Sequence, residues 1–266
     1  EQGIPIMMTY DGRYRIGCEG LLYILIEPFD PENEFLTAFN FTIKNRLNIE
    51  IHSYYNLEIG SHKDIGTEFI LNETPYSVSN IELNKNQPCF QQTLPPCFRL
   101  YIVGVEHDAQ HLCAQAALLG WEVFILKSLD QFHGLKEFPG AEIVQAIEPN
   151  NLKEFPIDEY SAFVLMSHNF AKDLNYLLQL SNLFTPLYIG VLGSNKRMEQ
   201  LFSNLLEHKE DISEIFMDSV HGPAGIDIKA ITPQEISISI LSQIIENLRA
   251  IPELIPVKPN MLVNER

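Results

Sequence analysis

The run GVLGSNKRMEQ, residues 190–200, holds the densest set of anion-binding groups in the chain. Gly190 and Gly193 permit a tight loop, Ser194 is placed to cap a helix, and Lys196 and Arg197 fall in that helix's first turn. Two cations at a helix start oppose the helix dipole, which favours negative charge at that end. An anionic ligand held by backbone N–H groups and both cations would explain them. A solvated basic face is the alternative.

The stretch YIVGVEHDAQ, residues 101–110, begins as a dinucleotide-binding turn does, with an apolar strand running into Gly104 and a helix opening behind it. The positions of the G-x-G-x-x-G/A pattern fall on Gly104, Glu106 and Ala109. The second glycine of that pattern lets backbone approach a pyrophosphate, and Glu106 puts a negatively charged side chain there. The acid that takes the ribose hydroxyls after the second strand is replaced by Lys127, followed by Ser128. NAD(P) is therefore not the expected ligand. The carboxylate of Glu106, with Asp108, is expected to cap the helix where a phosphate would sit.

His107 and His111 stand four residues apart, on one helical face, as metal-binding pairs do. The pair alone assigns no metal. His168 follows the apolar run SAFVLMS, and His221 opens HGPAGIDIKAITPQE (221–235), a loop with Gly222, Pro223 and Asp227 that leads into a helix. In a parallel sheet the loops after the strands share one edge, where ligands bind. His107, His168 and His221 can thus face one cleft with Glu106 between them, or each can serve a local backbone carbonyl. Cys18, in the glycine-flanked RIGCEG, is either a ligand or acceptor of sulfur or an inert small residue.

The composition narrows the ligand. Against 18 Lys and Arg stand 35 Asp and Glu, a formal net charge of −17, so polyphosphates are repelled at long range and nucleic acid is not an expected partner. An anion must instead be held by local donors. No apolar run reaches the length of a membrane span and no signal-peptide pattern opens the chain. Residue 1 is Glu and the first residues read as mid-domain sequence, so something upstream is expected to be missing. The four cysteines, Cys18, Cys89, Cys97 and Cys113, are expected to be reduced thiols in a cytoplasmic setting.

These residues need elements to position them. From Arg99 on, the apolar runs RLYIVGV, EVFILK, AEIVQA, SAFVLMS and PLYIGVLG alternate with the helical stretches HDAQHLCAQAALLG, NFAKDLNYLLQLSN and NKRMEQLFSNLLEH. Continuous apolar runs mark parallel strands covered on both faces. The alternation predicts an α/β architecture, a Rossmann-like doubly wound parallel sheet over 99–250, followed by a tail, 251–266. Its last helix has Thr232 as N-cap, Pro233 at the first helical position and Glu235 in the capping-box position. Residues 1–86 read as a smaller α+β domain lacking its start, with GLLYILIEPFD (20–30) as a buried strand. Pro88, Pro95 and Pro96 mark 87–98 as a linker.

Together these segments resemble the xanthine dehydrogenase accessory factor family, the XdhC/CoxI-like proteins. The likeness rests on LMSHNFAKDL, YIGVLGSNKR and above all HGPAGIDIKAITPQEISISIL, in matching order and spacing. GCEG followed by LYILIEP looks like the end of the family's other domain. Gly104 and His107 match the family's G-A-G-H motif. Glu106 departs from its second glycine, Lys127 and Ser128 from a usual acidic pair, and Lys229 from a common glycine. The resemblance implies a cytosolic helper, not itself a catalyst of turnover, that binds molybdenum cofactor (molybdopterin). The helper assists the cofactor's sulfuration and its insertion into a xanthine dehydrogenase-type client enzyme. It carries a sulfur-donating desulfurase and a second copy of the chain as further candidate partners. The expected cofactor cleft comprises Gly104, Glu106, His107, His168, Gly193, Ser194, Lys196, Arg197, His221, Gly222, Pro223 and Asp227, with Cys18 from the other domain. Two other readings stand beside it: an NAD(P)-dependent oxidoreductase on the same scaffold, and a divergent paralogue that binds only a protein partner.

Overall fold

Apolar runs that alternate with amphipathic stretches only after residue 98 foreshadow a change of architecture, and the chain divides between Pro96 and Cys97 into two compact units. The computed structural model describes residues 3–12, 20–79, 81–183 and 186–250. Cys18 and the expected tail lie outside them.

In the first unit, β1 (Ile6–Asp11), β2 (Leu21–Ile26) and β4 (Gly60–Ser61) form a small antiparallel sheet in the order β2-β1-β4. A second antiparallel sheet runs β6 (Thr74–Ser77), β5 (Gly66–Leu71), β3 (Ile49–Tyr54), β7 (Cys89–Leu94). Helix α1 (Asn33–Lys44) contributes Phe35 to a core with Ile49, Ile51 and Leu71, and the Phe35 ring stacks on Phe39 with centroids 5.5 Å apart.

Two expectations need correcting here. The run read as a buried strand is β2, and Leu21, Leu22, Tyr23, Ile24 and Ile26 are all exposed, Leu22 at 54%. An apolar run reports what a strand can bury, not what lies over it. The segment read as a linker, 87–98, contains β7, paired with β3 from Ile49↔Leu94 to Tyr54↔Cys89. Pro88, Pro95 and Pro96 flank this ladder rather than enter it. A missing N–H keeps proline out of central strands, not away from the ends of a strand or from a sheet's edge.

In the second unit, six parallel strands form one sheet: β8 (Arg99–Val103), β9 (Glu122–Lys127), β10 (Ala141–Ala146), β11 (Ser161–Leu165), β12 (Tyr188–Val191) and β13 (Val220–His221). Their order is β10-β9-β8-β11-β12-β13. Numbered within the unit this is 3-2-1-4-5-6, the doubly wound Rossmann order, with its reversal between β8 and β11. Every residue of β8, β11 and β12 is buried. Alternate residues feed two cores, Leu100 and Ile102 on one face and Tyr101 and Val103 on the other. Helices α2 (His107–Leu118) and α6 (Pro233–Ala250) cover the first face through Leu112, Ala116, Ile240 and Ile244. The second is covered by α3 (Phe170–Leu180), α4 (Asn195–His208) and the short α5 (Glu214–Ser219), through Leu177, Leu201 and Phe216.

The start of α6 carries the expected capping box. The Glu235 carboxylate accepts from Thr232 N–H at 2.9 Å, and Glu235 N–H donates to Thr232 Oγ1 at 3.3 Å. Cys89 and Cys113 are free thiols, and burial pushes the Cys113 thiol up to about 11. Among the described residues no helix is long and apolar enough to cross a membrane.

Candidate functional site

A parallel sheet sends every strand's carboxyl end to one edge, and in this order ligands bind beside the reversal. Gly104 leaves β8 at that point with φ +140, and a Cβ there would lie 2.4 Å from the Met166 carbonyl oxygen. The loops after β8 and β11 thus approach backbone to backbone, which only glycine allows. Gly104 N–H donates to Leu126 O at 3.0 Å, which ties the same turn to β9.

Glu106 is the N-cap residue of α2, but its side chain makes no capping hydrogen bond and the residue is exposed. The expected carboxylate cap is therefore corrected. A glutamate is one methylene longer than the aspartate that closes such a ring well, and solvating its charge at the surface competes with capping. The neighbouring Asp108 faces His168 instead, with 3.8 Å between Oδ2 and Nε2. His168 itself sits at φ +55, a left-handed conformation unusual for a side chain.

Helices α3 and α4, which follow β11 and β12, are joined by a buried ion pair. Arg197 Nη2 donates to Asp173 Oδ2 at 2.7 Å, and Ser167 Oγ donates to Asp173 Oδ1 at 2.6 Å. Asp173 has no exposed surface, and burial raises its pKa despite the Ser167 hydroxyl and the Arg197 charge. The expectation that the Arg197 cation serves an anionic ligand is thereby corrected: its guanidinium is committed to Asp173 on α3. Ser194 caps α4 by accepting from Arg197 N–H at 3.4 Å. Gly193, at φ +153, has the Arg197 side chain where a Cβ would be. Lys196 is exposed, and among the described residues no carboxylate pairs with it.

The loop opened by His221 packs by close approach. A Cβ on Gly222 would fall 2.0 Å from Met198 Cε, and Gly222–Pro223 is a cis peptide. The His221 ring stacks on Tyr188 at 4.6 Å between centroids. Tyr188 Oη and Gly225 N–H both donate to Gln243 Oε1 at 2.7 Å, so α6 holds this loop. His221 Nε2 is buried without a hydrogen-bond partner among the described residues, and burial lowers the pKa of the imidazole. Below its ordinary value of about 6.5 the unfolded chain takes up a proton that the folded chain resists, so this residue costs stability as pH falls. His221→Gln should therefore lose less melting temperature than the parent between about pH 7 and about pH 5. An equal loss in both would mean that the buried imidazole does not govern this response.

The structure brings His107, His168 and His221 to the same edge of the sheet but not into one cluster. His107 Nε2 lies 3.1 Å from His111 Nε2, which in turn lies 3.0 Å from the Gln234 side-chain amide. Asp227 is exposed and paired with Lys229. Among the described residues no group of three His, Cys, Asp or Glu could hold a metal ion.

Sequence reasoning missed Asp173, Lys172 and Gln243. Asp173 did leave a trace, because it stands on the stripe Asp173, Leu174, Leu177, Leu180, where an acid has no place unless paired. Lys172 Nζ donates to Ser128 Oγ at 2.6 Å, across a contact 44 residues long in sequence.

A six-stranded parallel sheet in this order, with a glycine turn at its reversal and the loops after its strands at one edge, defines a Rossmann-type domain. Residues 100–244 match the model of the XdhC Rossmann domain. The chain belongs to the XdhC family. It is 25% identical over 250 residues to a probable xanthine dehydrogenase subunit of Bacillus subtilis, covering 88% of this chain and 72% of that one. It is 29% identical over 164 residues to the uncharacterized protein YqeB of Escherichia coli, covering 61% of this chain and 29% of that protein. The fold is shared with the crystal structure of a xanthine dehydrogenase from Bacillus halodurans, at a TM-score of 0.74 and 23% identity over 94% of this chain and 76% of that one.

Proposed function

We propose that the protein is an accessory factor of a xanthine dehydrogenase-type enzyme, which binds molybdenum cofactor and assists its maturation and insertion into that client. The observation that carries the reading is the family match over the Rossmann domain, residues 100–244. The chain's own groups suit an anionic pterin. Lys196 stands exposed in the first turn of α4 with no acid paired to it among the described residues. His221 Nε2 is a buried polar atom with no hydrogen-bond partner among the described residues, at the edge where ligands bind in this fold. Arg197 contributes indirectly, by fixing the start of α4, with its cap Ser194 and Lys196 in its first turn. The protein acts as a binding and delivery factor in the cytoplasm, receives sulfur through a desulfurase, works as a pair of copies, and passes its cargo to the client.

Retention of the cofactor tests this reading. Pterin and molybdenum should stay with the chain through purification from cells that make the cofactor. Lys196→Glu, which reverses a charge without touching the fold, should lower that retention by about one to two decades in affinity. Equal retention by parent and variant would remove Lys196 from the site.

A further inference from the structure

We propose that Lys127, Ser128 and Lys172 form a subsite for a phosphate monoester at the carboxyl end of β9. The three residues line one hollow together with Gly104, Gln131, Ser167 and Tyr176, and its free volume, about 20 Å³, is room for one water molecule. Lys127 Nζ donates to the carbonyl oxygens of Gln131 and His133, both at 2.7 Å. Lys172 Nζ donates to Ser128 Oγ at 2.6 Å. Neither ammonium has a carboxylate partner among the described residues, in a chain whose acids outnumber its Lys and Arg by 35 to 18.

Two cations that line one hollow, each held there by neutral oxygens, repel each other, and an anion between them offsets that repulsion. Lys172 also lies in the first turn of α3, behind the cap Asn169, where the helix dipole disfavours a cation. Arg197, in the matching place on α4, is matched by Asp173, whereas among the described residues Lys172 has no such acid. An ammonium offers three N–H donors, so one remains on Lys127 and two on Lys172. Three free donors and a hydroxyl on residues that line one hollow suit the three terminal oxygens of a phosphate monoester. The Lys172–Ser128 bond occupies the hollow in their place, and rotation of that flexible side chain opens it.

The position explains why an acid is absent here. In a dinucleotide fold the end of the second strand receives the ribose, and a cation there receives a phosphate on the ribose 2′ oxygen. The phosphate ester of a pterin presents the same group. The subsite is defined by its own residues and does not rest on the accessory reading. Loss of cofactor retention with phosphate binding intact would sink that reading alone.

The test is calorimetric titration of the full chain, and of its Lys172→Met and Lys127→Met variants, with inorganic phosphate, adenosine 2′-monophosphate and a pterin phosphate ester. The parent should bind at least inorganic phosphate, and Lys172→Met should weaken binding about ten- to a hundredfold with an unchanged melting temperature. Tighter binding of the nucleotide identifies a ribose phosphate as the source, and tighter binding of the pterin ester identifies a pterin. Should Lys127→Met melt early, because its carbonyl contacts organise residues 128–133, Lys172→Met carries the comparison alone. No binding of any probe at millimolar concentration, or equal affinity in parent and Lys172→Met, overturns the proposal.

Discussion

Arg197→Ala should lose about 3–5 kcal/mol of stability, because it strands a buried carboxylate without its cation. Asp173 has no exposed surface and receives Arg197 Nη2 at 2.7 Å, so the remaining charge is left to the Ser167 hydroxyl and backbone N–H and the more distant His168, with no cation in contact among the described residues. The pH dependence has a definite sign. Burial already raises the Asp173 pKa above its ordinary value, and removing Arg197 raises it further. A carboxyl whose folded pKa exceeds its unfolded one penalises folding at higher pH, and that penalty fades as pH falls through the folded value. The loss in Arg197→Ala should therefore be largest near neutrality and smaller in mild acid, read by thermal or urea unfolding across pH. Arg197→Lys should recover only part of it, since one ammonium cannot reach both Asp173 and the Leu192 carbonyl that Nη1 approaches at 3.5 Å. A loss under about 1 kcal/mol would place this pair among weak surface bridges.

Gly104→Ala should cost about 3 kcal/mol or more, from two effects that add at one atom. A side chain at φ +140 is strained by about 1–3 kcal/mol, and a Cβ 2.4 Å from the Met166 oxygen must push backbone rather than a side-chain tip. The movement would separate β8 from the loop after β11, at the reversal of the sheet. Its signature should be a lower melting temperature together with lost binding of any ligand that sits between those loops. A variant that melts with the parent would show that the turn has more room than this geometry gives it.

The Rossmann half was legible in sequence because each of its signals is local. Continuous apolar runs announced β8, β11 and β12, and the Thr232–Glu235 pair announced the start of α6. The site was legible only at the level of the edge. Strand order places His107, His168 and His221 together, but their partners are set by contacts between residues far apart in sequence. Arg197 looked like an anion anchor because its helix position is visible in sequence, while its acid lies 24 residues away on another helix. Glu106 looked like a cap because the position is right, yet its carboxylate stays in solvent. In the first unit, β2 is apolar without being buried, since what covers a strand is not encoded in the strand.

The measurement that bears most directly on the proposed function is the pterin and molybdenum content per chain, taken on protein purified from cells making molybdenum cofactor. A binding and delivery factor should come through with pterin in stoichiometric amount and should surrender it to cofactor-free client enzyme. A folded chain that carries neither pterin nor molybdenum from such cells, and takes up none when offered it, would contradict the account and leave a fold that binds only a protein partner.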